Sequence, residues 1–231
     1  MKTIGMIGGM SWESSLVYYR MINQGVRDRL GGLHSAKCIL YSVDFAEIEA
    51  LQQTGQWDAA QHILVQAATG LVRAGSDLLI ICTNTMHKLA DGVAAKVTIP
   101  LLHIADPTAD AVLDAGIDTV ALLGTRFTME EDFYRRRLET RHGLRVLSPD
   151  AVQRQRVHDI IYSELCLGQI REPSRQAYDR IIEDLVQRGA RGVILGCTEI
   201  GLLVTADGCR VPIFDTAHIH AQAAVDAALA Q

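Results

Sequence analysis

Two short stretches carry the residues best suited to proton transfer. Cys82-Thr83-Asn84-Thr85-Met86-His87 follows the apolar run Leu78–Ile81, and Gly196-Cys197-Thr198-Glu199 follows Val193–Leu195. Each ends an apolar run with hydroxyl or thiol groups and then a titratable side chain. A thiol at a helix start is expected to have a lowered pKa, which favours the thiolate. Such a thiolate serves as base or as nucleophile. As a nucleophile, Cys197 would call on an adjacent base, for which His87 and His218 are candidates. As a base, it would call on an acid on the opposite face of its substrate.

The elements that must position these residues are legible as alternation. Strands are predicted at Thr3–Ile7, Cys38–Val43, Leu78–Cys82, Leu101–Ile104, Thr119–Leu123, Arg145–Leu147, Val193–Leu195 and Val211–Phe214. Helical spacing of apolar residues is read over Ser14–Leu30, Trp57–Val72 and Arg175–Val186. Strands alternating with helices predict an α/β fold with parallel sheets. The strands are continuous apolar runs, as expected where both sheet faces are covered. Ser11-Trp12-Glu13-Ser14-Ser15 has helix N-cap chemistry, which explains those residues without a catalytic role.

The chain also resembles itself. Leu71-Val72-Arg73-Ala74-Gly75 falls on Leu185-Val186-Gln187-Arg188-Gly189, an offset of 114 residues. Without a gap, Leu79-Ile80-Ile81 then falls on Val193-Ile194-Leu195, Cys82 on Gly196 and Thr83 on Cys197. "TIGMIGGM" (3–10) matches "TVALLGTR" (119–126), and "IPLLHIAD" (99–106) matches "VPIFDTAH" (211–218), which pairs His103 with Asp215. An alternative offset of 115 residues pairs Cys82 with Cys197 but spoils the upstream match. The repeat predicts two pseudo-symmetric domains, each a mainly parallel sheet flanked by helices, with the active site between them. The expected division is residues 1–104 plus 214–231 for the first lobe and 105–213 for the second.

In open α/β sheets, ligands bind beyond the carboxyl ends of the strands. Four matched junctions lie there: Gly8-Gly9-Met10-Ser11, Thr83-Asn84-Thr85, Gly124-Thr125-Arg126 and Cys197-Thr198-Glu199. Their backbone N–H groups suit a carboxylate, and Thr83, Asn84, Thr85, Thr125 and Thr198 add side-chain donors. Arg126 is the candidate cation for a second carboxylate.

Composition excludes several classes. Of the 231 residues, 48% are hydrophobic and 21% charged, a soluble globular profile. The net charge of −5 has no basic block, which disfavours nucleic acid. No run of apolar residues is long enough to span a membrane, and the N-terminal stretch lacks the form of a signal peptide. Five scattered cysteines, Cys38, Cys82, Cys166, Cys197 and Cys209, fit thiols in a reducing cytoplasm. Neither metal-ligand spacing nor a dinucleotide or P-loop glycine pattern is present, so neither a structural metal nor a bound dinucleotide is expected, and no lysine sits at a matched strand end for pyridoxal chemistry.

Taken together, "GMIGGMSWESS" (5–15), "CTNTMH" (82–87), "LLGTRFTMEEDFY" (122–134), "ELCLGQ" (164–169) and "GCTEIGLL" (196–203) resemble the aspartate/glutamate racemase family over essentially the full length. The resemblance implies cofactor-independent racemisation of amino acids such as aspartate, glutamate or a broader set, by a homodimer. It implies two catalytic residues facing each other across the α-carbon, here Thr83 and Cys197, with Thr83 standing where the family has its first cysteine. It further implies substrate contact at Met10, Thr83, Asn84, Thr85, Thr198 and Glu199. Gln52 is a candidate for the ligand side chain. His87 and Glu199 are candidates to tune Thr83 or Cys197. Two other readings share the scaffold: a single-cysteine decarboxylase or isomerase of a small diacid, and a non-catalytic amino acid binding protein.

Overall fold

The computed structural model describes residues 1–230. The chain forms two compact units, Met1–Ile104 together with the stretch from His220 onwards, and Ala105–Ile219.

The first unit contains β1 (Ile4–Gly8), α1 (Trp12–Leu30), β2 (Cys38–Ser42), α2 (Phe45–Gln53), α3 (Trp57–Arg73), β3 (Leu78–Ile81), a 3-10 turn over Thr85–Leu89, α4 (Ala90–Ala94) and β4 (Leu101–Leu102). The four strands pair in the order β2-β1-β3-β4, all parallel. β1 and β3 are fully buried apolar runs, as central strands covered on both faces must be. Leu64, Ala67, Ala68 and Leu71 of α3 cover one face against Ile7, Leu79 and Ile81. Each large apolar side chain buried in this way contributes about 1.5–3 kcal/mol. Ser11 caps α1 by accepting from the Ser14 N–H at 3.2 Å, the role expected of this stretch.

The second unit repeats the plan: α5 (Ala105–Asp114), β5 (Thr119–Gly124), α6 (Arg126–Glu130), α7 (Asp132–Arg136), β6 (Arg145–Leu147), α8 (Ala151–Ser163), α9 (Glu172–Gln187), β7 (Val193–Gly196), a 3-10 turn over Thr198–Leu202, and β8 (Ile213–Asp215). Its sheet runs β6-β5-β7-β8, again all parallel. Tyr178, Ile181, Ile182 and Leu185 of α9 pack on Ala121, Leu123, Val193 and Leu195. A last helix, α10 (Thr216–Leu229), begins in this unit, and its residues from His220 belong to the first. The chain therefore changes unit after Ile219, later than the boundary after residue 213 expected from sequence. The reason is β8, which pairs with β7 and is the fourth strand of the second sheet.

Strand register decides between the two repeat alignments. Ile7 pairs with Ile81 in the first sheet, and Leu123 pairs with Leu195 in the second. Ile7 and Leu123 are equivalent in the repeat, so Ile81 corresponds to Leu195, Cys82 to Gly196, and Thr83 to Cys197. Gly196 is glycine for a packing reason. A Cβ there would lie 2.9 Å from the Leu123 carbonyl oxygen and 3.1 Å from Thr128 Cγ2. Gly196→Ala is therefore expected to lower stability by about 1–3 kcal/mol, read as an earlier midpoint in urea denaturation. An unchanged midpoint would mean that β5 and β7 are not held as closely as described.

Candidate active site

Each sheet reverses its direction of growth between its two central strands, β1 and β3 in the first and β5 and β7 in the second. Polar chemistry in an open α/β sheet collects beyond the carboxyl ends at this reversal. In the first unit those ends carry Gly9-Met10-Ser11 and Cys82-Thr83-Asn84. In the second they carry Thr125 and Cys197-Thr198-Glu199.

In the first unit, Thr83 keeps partial exposure, whereas Leu78–Cys82 and Asn84–His87 are buried. Its surroundings are tied down from three directions. The Ser14 hydroxyl donates to the Cys82 carbonyl at 3.0 Å. The His87 Nδ1 lies 2.8 Å from the Thr83 carbonyl oxygen, and the Ile104 N–H donates to His87 Nε2 at 3.2 Å. A backbone N–H can only donate, so Nε2 carries the lone pair and Nδ1 the proton given to Thr83. Burial, then the neighbouring rings of His103 and His220, push the His87 pKa well below the usual imidazole range, so the ring is neutral. His87 thus holds the backbone of Thr83, not its hydroxyl. Met10 is buried, and Gln52, on α2, donates from Nε2 to the Met86 sulfur at 3.0 Å. Asn84 and Thr85 are buried beside Thr83.

In the second unit, Cys197 extends past β7 with an extended backbone and partial exposure. Its sulfur donates to Glu199 Oε2 at 2.9 Å, and the Thr198 hydroxyl donates to the same oxygen at 3.0 Å. Glu199 is buried. The partner of the thiol is therefore a carboxylate and not a histidine. His218 is exposed on α10, with its backbone N–H on Asp215 Oδ1. The expected lowering of the thiol pKa is also overturned. Desolvation of the sulfur, then the charge of Glu199 and the proximity of the Cys166 thiol, push Cys197 well above the ordinary thiol range. Cys197 leads into a single short 3-10 turn, too brief to offset those effects with a helix dipole.

Thr125 is buried as the N-cap of α6, accepting from the Thr128 N–H at 3.3 Å. Arg126 is exposed, its guanidinium 5.6 Å from the Phe127 ring centroid. Asp215 caps α10 through the Ala217 N–H, while its repeat counterpart His103 packs edge-on against His87 at 4.7 Å. Cys82 is buried and its thiol is pushed up by desolvation, so it is an inert core residue. Sequence reasoning missed the group around Tyr178. Glu164 accepts from Ser174 at 2.6 Å there, and burial, then the nearby acidic groups of Cys197, Cys166, Glu164 and Glu199, push the Tyr178 phenol well above its usual range. It also missed Tyr18 and His220, whose partners lie far away in sequence. The second histidine in "HIH" (218–220) was the only local signal for the latter.

A family model described as Asp/Glu/hydantoin racemase matches residues 7–224. The chain belongs to the Asp/Glu/hydantoin racemase family. Membership makes it an isomerase. Among curated proteins it is similar to the broad specificity amino-acid racemase RacX of Bacillus subtilis (strain 168), 24% identical over 177 residues that make up 75% of this chain and 74% of that one. Among solved structures it is similar to a Yersinia pestis protein assigned as an Asp/Glu racemase, at 57% identity, TM-score 0.94 and 100% coverage of both chains. An aspartate racemase homologue from Pyrococcus horikoshii OT3 follows at 35% identity, TM-score 0.86 and 99% coverage of both. No helix among the described residues is long and apolar enough to cross a membrane.

The buried histidines give this racemase a defined acid response. Burial holds His220 down at about 4, against about 6.5 in an unfolded chain. Between those values the unfolded state binds more protons, so stability is complete above about pH 6.5 and falls as pH drops towards 4. By pH 4 the loss from His220 is on the order of 3 kcal/mol. Denaturation midpoints across this range should show the decline, and His220→Leu should flatten it. An equal slope in the variant would show that His220 is not held neutral.

Proposed function

We propose that this enzyme racemises amino acids, aspartate and glutamate or a broader set, by cofactor-independent proton transfer, with Cys197 and Thr83 acting on the two faces of the α-carbon. The observation that carries the reading is the Cys197 thiol hydrogen-bonded to the buried Glu199 carboxylate, at the strand end equivalent to that of Thr83.

The resting state has both groups protonated, because the Cys197 pKa is raised and a threonine hydroxyl does not ionise near neutral pH. Glu199 Oε2 accepts the thiol proton as substrate binds, leaving a thiolate. The thiolate removes the α-proton, and the electron pair left on carbon delocalises into the substrate carboxylate. The backbone N–H groups and the Asn84, Thr85 and Thr198 side chains hold that carboxylate as its charge grows. Met10 and Gln52 are the proposed contacts on the substrate side chain. Thr83 Oγ1 then gives its proton to the opposite face and is reprotonated by water, for which its partial exposure is suited, and the hydroxide so formed takes the proton held by Glu199, which restores the resting state. A thiolate is a far better base than a hydroxyl, so the direction started by Cys197 is the fast one. The equilibrium between the two free enantiomers stays near unity whatever the rates. The resemblance of the family supports a homodimer, and five cysteines all present as thiols support a cytoplasmic enzyme.

Proton NMR in deuterated water, without added cofactor, tests the reading. The α-proton signal of an amino acid should disappear with wild-type enzyme and persist with Cys197→Ala. Persistence with wild type across a panel of both enantiomers would contradict it, and carbon dioxide release would favour the single-cysteine decarboxylase. Glu199→Gln should slow the exchange by roughly 10²-fold with little change in KM, the usual contribution of a positioned acid–base group. Thr83→Cys should speed the slower direction; no gain would count against Thr83 as the opposing donor.

A further inference from the structure

The segment Leu102–Ile104 runs off the end of β4, next to β3. Two histidines grip it. His220 Nε2 lies 3.0 Å from the Leu102 carbonyl oxygen, and the Ile104 N–H lies 3.2 Å from His87 Nε2. A carbonyl oxygen can only accept, so His220 carries its proton on Nε2 and its Nδ1 is an acceptor. The Tyr18 hydroxyl, 3.0 Å away, fills that acceptor. Tyr18 also meets the His220 ring edge-on at 5.8 Å, and His220 lies 5.6 Å from the His87 ring. Tyr18 and His220 are fully buried and His87 nearly so. The relay runs from the Tyr18 O–H to His220, from the His220 N–H to Leu102, from the Ile104 N–H to His87, and from the His87 N–H to the carbonyl of Thr83.

We infer that His220, seated by Tyr18, is a positioning residue for Thr83. It pins the near end of Leu102–Ile104, the far end of that segment pins His87, and His87 pins the Thr83 backbone. The role rests on the proposed function, in which Thr83 is the proton donor opposite Cys197. His220 touches neither the substrate nor the Thr83 hydroxyl. What it controls is where that hydroxyl sits. The relay explains why three buried rings, including His103 packed against His87, crowd behind a threonine. Proton transfer depends on alignment, so a shift of the Thr83 backbone is felt at its hydroxyl.

The test uses the intact enzyme in deuterated water, starting from the enantiomer that Cys197 deprotonates. Deuterium returned by Cys197 gives the starting enantiomer back, labelled. Deuterium delivered through Thr83 gives the opposite enantiomer. The ratio of inverted to retained label reports Thr83 alone, whereas a loss of active enzyme lowers both products equally. His220→Leu is expected to lower this ratio about tenfold, the rate effect of a modest misalignment. His220→Gln, which keeps a donor for the Leu102 carbonyl, should recover most of it. Tyr18→Phe should lower the ratio by about threefold, the effect of one weakened hydrogen bond, and carries the test should His220→Leu not fold. Parallel loss of both products, with the ratio unchanged in Tyr18→Phe or His220→Leu, would overturn the role. Absence of exchange in wild type would remove the reaction itself and this role with it, whereas wild-type exchange with unchanged variants removes the role alone.

Discussion

A parallel sheet covered on both faces leaves one place for polar chemistry, the ends of its strands. Everything in this protein depends on that constraint, applied twice. β1 and β3 are buried from end to end, as is β7, and β5 is buried beyond its first residue, Thr119. No donor, acceptor or thiol can be spent along them without leaving a polar group unsatisfied. After Cys82 and after Gly196 burial relaxes, and there the chain presents the partly exposed Thr83 and Cys197.

The two ends share a position but not a supporting chemistry. Thr83 is held through its backbone by a relay of neutral histidines and by Ser14 on the preceding carbonyl. Cys197 is held through its side chain by a carboxylate. In the proposed mechanism this difference suits the two acids. A hydroxyl can only donate in place, so its location is what the fold must supply. A thiol must first lose its proton, so it needs an acceptor, and a dense environment that raises its pKa makes the thiolate, once formed, a stronger base. Uneven chemistry on an even scaffold is the consequence.

Much of this is legible in the sequence. The strands are visible as apolar runs, most plainly the central β1, β3, β5 and β7, where burial on both faces writes itself as continuous Ile, Leu and Val, whereas the edge strand β2 leaves Leu40 and Tyr41 exposed. The correspondence of Thr83 with Cys197 comes from gapless alignment of the two halves, and the strand register gives the same equivalence. The letters do not carry anything set by packing density or by distant partners. A place at a helix start suggests an acidic thiol at Cys197, but desolvation and Glu199 act in the opposite sense. A lobe boundary after residue 213 cuts through β8, because pairing with β7, and not composition, decides where that strand belongs. The Tyr18–His220 contact joins residues 202 positions apart, and no local pattern announces it.

The most direct measurement is a crystal structure of Cys197→Ser with an amino acid bound. The account requires the α-carbon to lie about 3.5 Å from both the residue at position 197 and Thr83 Oγ1, on opposite faces, as near-attack geometry demands. It also requires the carboxylate among the donors of Asn84, Thr85 and Thr198. A ligand that met position 197 while Thr83 lay far from its α-carbon would contradict the two-sided mechanism and leave a chemistry with one cysteine.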